Sequence, residues 1–168
     1  MFPATCCIII NNLFLSSRYV FWSDFGSKPR IERANLDGQN RLAIVSSGLK
    51  WPNDLAVDFA ANRLYWIDAY RDKVESVDFS GGGRRIHTDV SYYGRIQMHP
   101  YGMALFAQHS LVYFTDWYRS IILYQPTNIP TTIPSIAANG PQLQKQIGQV
   151  RILHSSNQPP GMFCVLYF

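Results

Sequence analysis

A short motif occurs three times in the chain: two aromatic residues, one variable residue and an aspartate. The copies are FWSD at 21–24, YWID at 65–68 and YFTD at 113–116, separated by 44 and 48 residues. A repeat period in the forties is typical of an array of stacked sheets, in which each repeat supplies one unit that packs on its neighbours. The chain is therefore expected to be an all-β array of similar units.

One complete unit lies between residues 51 and 85. Apolar residues alternate with others from Leu55 to Phe59, which predicts a half-buried strand, and an aromatic strand follows and ends at Asp68. Val74 to Phe79 predicts a third strand, and a triple glycine turns the chain into a short fourth strand. Four short antiparallel strands in about 40 residues match the size of one β-propeller blade.

The three motifs, together with WPND at 51–54 and HPYG at 99–102, resemble the YWTD (class B) repeats of the low-density lipoprotein receptor family. The resemblance extends over residues 13–124 and implies a six-bladed propeller with four-stranded antiparallel blades. A Gly-x-x-Pro insertion, a WPN motif and an HP-aromatic motif follow one another as in the family's fourth to sixth repeats. The chain therefore resembles about three blades, the C-terminal half of one propeller.

The repeats also predict which residues are structural: Trp22, Asp24, Tyr65, Trp66, Asp68, Tyr113 and Asp116. Trp22, Trp66 and Phe114 occupy the same repeat position, where wedge-shaped sheets need bulky side chains between them. The three aspartates recur once per blade, so they are rotated tens of degrees apart and do not converge on a metal or a reacting group. We expect them to accept hydrogen bonds from backbone N–H groups at turns.

Residues that occur in only one repeat are better candidates for function. The WPND and HPYG motifs are predicted to lie in loops just before the innermost strands, at the face around the central channel. In the Wnt co-receptor branch of the family, the Trp and Asn of WPN and the His of HP contact ligand. The resemblance therefore implies ligand contacts for Trp51, Asn53 and His99, and Tyr101 adds a second exposed aromatic group. Alternatively, the prolines set turns and Trp51 caps the channel. Asp54 replaces the family's usual glycine, so a positive φ there would be strained.

No catalytic or metal-binding constellation is evident. The four histidines are scattered, and neither an HExxH nor a GxSxG motif occurs. A lactonase-type propeller needs several calcium ligands around the channel, and only Asn53 and Asp54 are available there. The sequence predicts a protein that is not an enzyme and has no cofactor. Its net charge of +4, without a long basic run, also argues against nucleic-acid binding.

The chain divides into four predicted segments. Residues 1–17 are a divergent apolar segment without a convincing signal peptide and too short to span a membrane, and 18–124 hold the three repeats. Residues 125–148 are predicted to form a loop because of their prolines. Residues 149–168 resemble a closing strand followed by the start of an EGF-like module at Cys164. Cys6 and Cys7 are adjacent and are not expected to bridge each other.

The resemblance implies a ligand-binding extracellular segment of a receptor related to the low-density lipoprotein receptor, endocytic or signalling, at the plasma membrane. Its expected partners are extracellular protein ligands, the other half of the propeller and an EGF-like module. Two alternatives stay open: a structural propeller of matrix type and a truncated inactive fragment. Half a ring would leave two blade faces open, so the isolated chain is expected to associate or to be poorly stable.

Overall fold

A computed structural model describes residues 19–89, 99–129 and 134–138 and residue 150. The strands are β1 (Tyr19–Asp24), β2 (Arg30–Asn35), β3 (Leu42–Val45), β4 (Pro52–Asp58), β5 (Arg63–Asp68), β6 (Lys73–Asp78), β7 (Arg85–Asp89), β8 (Pro100–Phe106), β9 (Leu111–Asp116), β10 (Ile121–Pro126) and β11 (Ser135–Ala138). A short 3-10 helix, Ala107–His109, lies between β8 and β9. Within these residues, no helix has the length and hydropathy required to cross a membrane.

The strands form three antiparallel sheets, here called blades 1, 2 and 3. Their strand orders are β1-β2-β3, β4-β5-β6-β7 and β11-β10-β9-β8. The aromatic-aromatic-x-Asp motif ends the equivalent strand in each blade, namely β1, β5 and β9. The predicted all-β fold with antiparallel blades is therefore confirmed, with four strands in blades 2 and 3 and three described strands in blade 1. β4 and β8 are the inner strands of blades 2 and 3.

Residues with positive φ form the turns of blade 2. Asn62 and Asp72 have φ of 51° and 53°, a left-handed conformation that Asn and Asp tolerate better than most residues. Gly81 has φ of 97°, and a Cβ atom there would lie 2.8 Å from the carbonyl oxygen of Ile44. Only glycine lets this turn of blade 2 approach β3 of blade 1 so closely.

Blade 3 continues beyond residue 124, which corrects the predicted loop at 125–148. β10 includes Pro126, and β11 adds a fourth strand inside that segment. Prolines exclude a central strand, but Pro126 ends β10 and β11 is an outer strand paired on one side only, where the restriction is weaker. The predicted segment 1–17, the closing strand at 150–154 apart from Val150, and Cys164 lie outside the described residues.

The hydrophobic core lies between the blades. Between blades 1 and 2, Phe21 and Ile31 pack with Leu55, Leu64 and Trp66. Between blades 2 and 3, the buried set is Ala56, Tyr65, Ile67, Val74, Met103, Val112, Phe114 and Leu123. Blade 2 therefore contributes one face to each interface, as stacked sheets with alternating side chains require.

A charged pair closes the edge of the first interface. Glu75, which pairs with Trp66 across β5 and β6, accepts hydrogen bonds from Arg84 at 3.0 and 2.7 Å. Arg84 also lies 5.1 Å from the centroid of Trp66 and donates to the carbonyl oxygens of Ser47 and Gly48 in the preceding connection. Blade 2 therefore binds the chain segment that links it to blade 1.

The same triad occurs in blade 1 but not in blade 3. Arg41 donates to Glu32 and lies over Trp22, as Arg84 does with Glu75 and Trp66, and Trp22 also donates to Glu32 at 3.1 Å, a bond that Trp66 lacks within the described residues. The hydrogen bonds from Arg41 keep the pKa of Glu32 below its ordinary value although burial raises it. In blade 3 the equivalent pair is Phe114 and Leu123. The position between blades 2 and 3 is therefore apolar.

Uncharged polar side chains link the outer strand of blade 2 to blade 3. Thr88 donates to Gln125 at 2.6 Å, and Gln125 donates to the carbonyl oxygen of His87 at 2.7 Å. The His87 ring contacts the carbonyl oxygen of Thr127 through Nδ1 at 2.9 Å and the hydroxyl of Ser76 through Nε2 at 2.7 Å. Because a carbonyl only accepts, Nδ1 carries the proton and Nε2 accepts from Ser76.

Candidate ligand-binding face

The sequence motifs at 51–54 and 99–102 lie at the same end of their blades. Pro52 pairs with Asp68 and Pro100 pairs with Asp116, so each motif lies beside the end of the neighbouring strand. Trp51 and His99 precede β4 and β8, but the remaining residues of both motifs are in these strands rather than in loops. The predicted loops are therefore shorter than expected, and register irregularities follow both prolines.

Asp68 holds this end of blade 2 together. Its carboxylate accepts hydrogen bonds from the backbone N–H groups of Lys50, Trp51, Tyr70 and Arg71, at 2.7 to 3.2 Å. It is completely buried. This is the turn-stabilising function predicted for the repeated aspartates. It fixes the segment before β4 to the turn after β5.

The other two repeated aspartates act in the same way with fewer partners. Asp24 accepts from the N–H of Gly26 at 2.8 Å, and Asp116 accepts from the N–H of Arg119 at 2.9 Å. In both blades 2 and 3, a backbone hydrogen bond also joins the turn to the segment before the inner strand. Its donor–acceptor distance is 2.9 Å from Ala69 to Trp51 and 3.0 Å from Trp117 to His99.

Two aromatic pairs occupy equivalent positions on this end. The ring of Trp51 lies 5.2 Å from that of Tyr70 and nearly perpendicular to it. One repeat later, His99 lies 6.1 Å from Tyr118 in the same arrangement. All four side chains are exposed, Tyr118 most of all at 75%. The predicted residues Trp51 and His99 therefore each have an aromatic partner from the neighbouring turn.

Blade 3 has a third pair that blade 2 lacks. Tyr101 lies 5.9 Å from Trp117, and both are exposed. At the equivalent positions blade 2 has Asn53, which is half-buried, and Ala69. We call the six exposed rings the aromatic face: Trp51, Tyr70, His99, Tyr101, Trp117 and Tyr118.

Sequence reasoning missed half of the aromatic face. Tyr70, Trp117 and Tyr118 follow the repeated aspartate by one or two residues. An aromatic residue in a tight polar turn is unusual, because turns favour Gly, Asn, Asp and Ser. The sequences IDAYRD and TDWYRS therefore contained a usable signal.

Asp54 is not strained, contrary to the sequence-based expectation. It lies within β4 and is not among the residues with positive φ. Its side chain is buried at 2% exposure and accepts a hydrogen bond at 2.8 Å from the N–H of Met103, in β8. The carboxylate in place of glycine therefore connects the inner strands of blades 2 and 3. At the equivalent position of blade 3, Gly102 donates its N–H to Thr115.

The polar groups beneath the aromatic face include one carboxyl group with an altered pKa. Burial raises the pKa of Asp72 to about 6, and Asp116 and Asp68 act in the same direction, whereas His99 opposes them. Oδ1 of Asp72 is buried without a hydrogen-bond partner among the described residues. The pKa of Asp72 therefore lies closer to neutrality than that of an ordinary aspartate.

The described residues contain no arrangement suited to nucleophilic or metal chemistry. Ser76 and His87 have the 2.7 Å contact of a nucleophile and base, but both are buried, and Arg63 donates to the Ser76 oxygen at 3.1 and 2.9 Å. A substrate cannot approach that oxygen, and its lone pairs are already used. No group of three His, Cys, Asp or Glu side chains in this part of the chain could hold a metal ion.

Comparison with known proteins agrees with the repeat geometry. Residues 18–59 match the model of the low-density lipoprotein receptor repeat class B family. The vitellogenin receptor Yl of Drosophila melanogaster is 42% identical over 58% of this chain and 5% of its own length. The chain carries class B repeats of the low-density lipoprotein receptor family.

A human protein has the same type of repeat. The low-density lipoprotein receptor-related protein 5-like protein of Homo sapiens is 47% identical over 34% of this chain and 23% of its own length. The chain therefore spans a small part of the curated relatives it matches.

A solved structure supports the fold alone. A luciferin-regenerating enzyme has a TM-score of 0.64 and 11% identity, with 84% of this chain and 47% of that chain covered. At so low an identity the enzyme's activity is no guide to this class B repeat segment. The overlap with less than half of that protein agrees with a partial propeller.

Proposed function

We propose that this class B repeat segment is a non-enzymatic, extracellular ligand-binding part of an endocytic or signalling receptor. Its aromatic face would contact protein ligands, with Trp51, Asn53, His99 and Tyr101 as the residues suggested by the motifs. The observation that carries the proposal is the set of exposed aromatic pairs. The backbone N–H groups of Trp51 and Tyr70 donate to the buried Asp68, and in blade 3 the buried Asp116 accepts from Arg119, which follows Tyr118.

The physical argument rests on exposure and rigidity. Large aromatic side chains are commonly buried, and several exposed ones at one end of a small chain mark an interaction surface. Trp and Tyr lose little conformational entropy on binding, so they often dominate the energy of protein interfaces. The four backbone hydrogen bonds to Asp68 hold the Trp51 and Tyr70 positions in place before a ligand arrives.

The partner proposal extends to the rest of a propeller. In blade 2, Trp66, Glu75 and Arg84 face blade 1, and the equivalent residues of blade 1 are on its opposite side. We infer that a preceding blade covers that side in the whole receptor and that an EGF-like module follows the chain. Three upstream repeats added to the chain should turn an associating sample into a cooperatively melting monomer. A cooperatively melting monomer of the 168-residue chain by itself, in sedimentation and calorimetry, would contradict this inference.

The ligand face can be tested with a phage-displayed library of random 12-residue peptides selected on the full chain. Selected peptides should lose at least tenfold in affinity when Trp51 or Tyr118 is replaced by Ala, since central aromatic anchors often contribute about 2 kcal/mol or more. Leu36→Ala is the matched control, because Leu36 is also exposed but lies at the other end of blade 1. Peptides that bind all three variants equally would rule out the aromatic face.

A further inference from the structure

The acidic residues of the chain are less exposed than the basic ones, since five are buried, five are half-buried and one is exposed. All 11 acidic residues lie in the part that the structure describes, and only Asp37 among them is exposed. Seven basic residues in the same part are exposed: Lys28, Arg41, Lys50, Arg71, Arg84, Arg85 and Arg119. The exposed surface of the described residues is therefore more basic than the formal charge of +4 suggests.

The acidic residues are inside because the scaffold uses them. Asp54, Asp68 and Asp116 accept hydrogen bonds from backbone N–H groups, and Glu32 and Glu75 form ion pairs with arginines. A carboxylate engaged in this way is not available to a partner. Asp37 lies in the turn between β2 and β3, at the opposite end of the blade from the aromatic face.

Three of the exposed basic residues belong to the chain segments that carry the rings of the aromatic face. The ammonium group of Lys50 is 5.5 Å from the centroid of Tyr70. Arg71 follows Tyr70 directly, and Arg119 follows Tyr118 directly, so the Tyr-Arg pair recurs at an interval of 48 residues. The nearest carboxyl groups are buried or half-buried: Asp68, Asp72 and Asp116. A ligand on this face therefore meets rings and positive charges.

We propose that the aromatic face, with Lys50, Arg71 and Arg119, binds an acidic segment of a protein ligand that also has at least one large apolar side chain. The inference rests on the proposed function and names the chemistry of its ligand. Carboxylates of the segment would pair with the two arginines, and apolar side chains would contact the rings between them. Charge complementarity of this kind fixes the orientation of a ligand and speeds its association.

A protein segment fits better than a sulfated glycan or a nucleic acid. Polyanions of those classes are bound by many phosphate or sulfate contacts, and this end of the described residues offers only four exposed cations, namely Lys28 in blade 1 and Lys50, Arg71 and Arg119. The mixture of rings and charges matches a peptide in which acidic and apolar residues alternate.

The test extends the peptide selection on the full chain. The selected sequences should be enriched in Asp and Glu over the unselected library and should each contain an aromatic or large aliphatic residue. The triple variant Lys50→Gln/Arg71→Gln/Arg119→Gln should bind them about tenfold more weakly at low salt, since exposed charge pairs contribute a few tenths to 1 kcal/mol each. High salt should shrink this difference. Arg85→Gln is the matched control, because Arg85 is exposed at the opposite end of blade 2.

The outcomes separate this inference from the proposed function. Peptides that depend on Trp51 and Tyr118 but are neutral or basic, or that bind the triple variant unchanged, overturn the acidic ligand and leave the aromatic face intact. Heparin binding that depends on the three cations and not on the rings also overturns it, in favour of a polyanion. Failure to select any peptide that depends on the rings overturns both.

Discussion

The two blade interfaces solve the same packing problem with different polar chemistry. Between blades 1 and 2, the Glu75–Arg84 pair lies beside the buried ring of Trp66. Between blades 2 and 3, Leu123 occupies the position equivalent to Glu75, and uncharged side chains including Gln125 supply the polar contacts at the outer strand. A blade interface therefore needs a filled apolar centre and hydrogen-bonded polar groups at its edge. Charged side chains supply those hydrogen bonds in one interface, and neutral side chains supply them in the other.

The largest loss of stability should come from removing a large side chain at the centre of one blade interface. Trp66→Ala removes a completely buried ring between blades 1 and 2 and should lower the free energy of unfolding by about 3–5 kcal/mol. Trp22→Ala, at the equivalent but half-buried position, should cost clearly less. Urea unfolding followed by circular dichroism measures both. Equal losses would mean that blade 1 is packed on both sides like blade 2.

The next effect tests whether the charged edge can be exchanged for the apolar one. Glu75→Leu leaves Arg84 without its carboxylate and should cost about 2 kcal/mol, since the arginine is only partly buried. The double variant Glu75→Leu/Arg84→Met imitates the apolar interface of blade 3 and should regain at least half of that loss. A double variant as unstable as the single one would show that the hydrogen bonds from Arg84 to Ser47 and Gly48 contribute more to stability than the ion pair does.

Replacement of Asp72 is expected to have a smaller effect on stability and to stabilise the fold rather than destabilise it. The raised pKa of Asp72 means that the folded state binds its proton more tightly than the unfolded state. The stabilisation is complete below pH 3.8 and is lost as the pH rises through about 6, so ionised Asp72 destabilises the fold at pH 7. Asp72→Asn should stabilise by about 1 kcal/mol at pH 7, after allowance for solvent screening at a half-buried site, and much less at pH 4. Thermal unfolding at the two pH values decides this.

The smallest effect should be a pH dependence at His87. Burial lowers the pKa of His87, and the charges of Arg63 and Arg85 act in the same direction, whereas the Thr127 carbonyl opposes them. The unfolded state then binds the proton first, so stability is complete above the ordinary histidine pKa of about 6.5 and declines as the pH falls below it. The decline between pH 7.5 and 5.5 should be reduced in His87→Gln. An unchanged decline would assign it to other groups.

The regular part of the fold was predictable because it repeats. The FWSD, YWID and YFTD motifs identified the equivalent strands, and an aspartate placed once per blade could be recognised as a turn anchor. The contacts of His87, Gln125 and Thr127 could not be predicted, because the partners are 38 to 40 residues apart and occur in one blade interface only. Strand β11 was missed because proline composition argues against central strands and says little about edges.

The ligand-contact predictions at Trp51, Asn53, His99 and Tyr101 are still predictions. Sequence reasoning looked for residues unique to one blade and so reached Trp51 and His99. It overlooked Tyr70 and Tyr118, because they lie in turns treated as connections. The pairing of a motif residue with a turn residue depends on the approach of two chain segments, which only the three-dimensional fold shows.

The hydrogen bonds from Arg84 to the carbonyl groups of Ser47 and Gly48 join residues that are 37 and 36 positions apart in the sequence. During synthesis, blade 1 therefore leaves the ribosome before Arg84, which binds the connection between β3 and β4, has been made. The blades would therefore fold in chain order, and each new blade would stabilise the end of the preceding one through such a contact. A proteolytic cut just ahead of Arg84 would break the covalent link between this arginine and β6, and should therefore weaken the contact of blade 2 with Ser47 and Gly48.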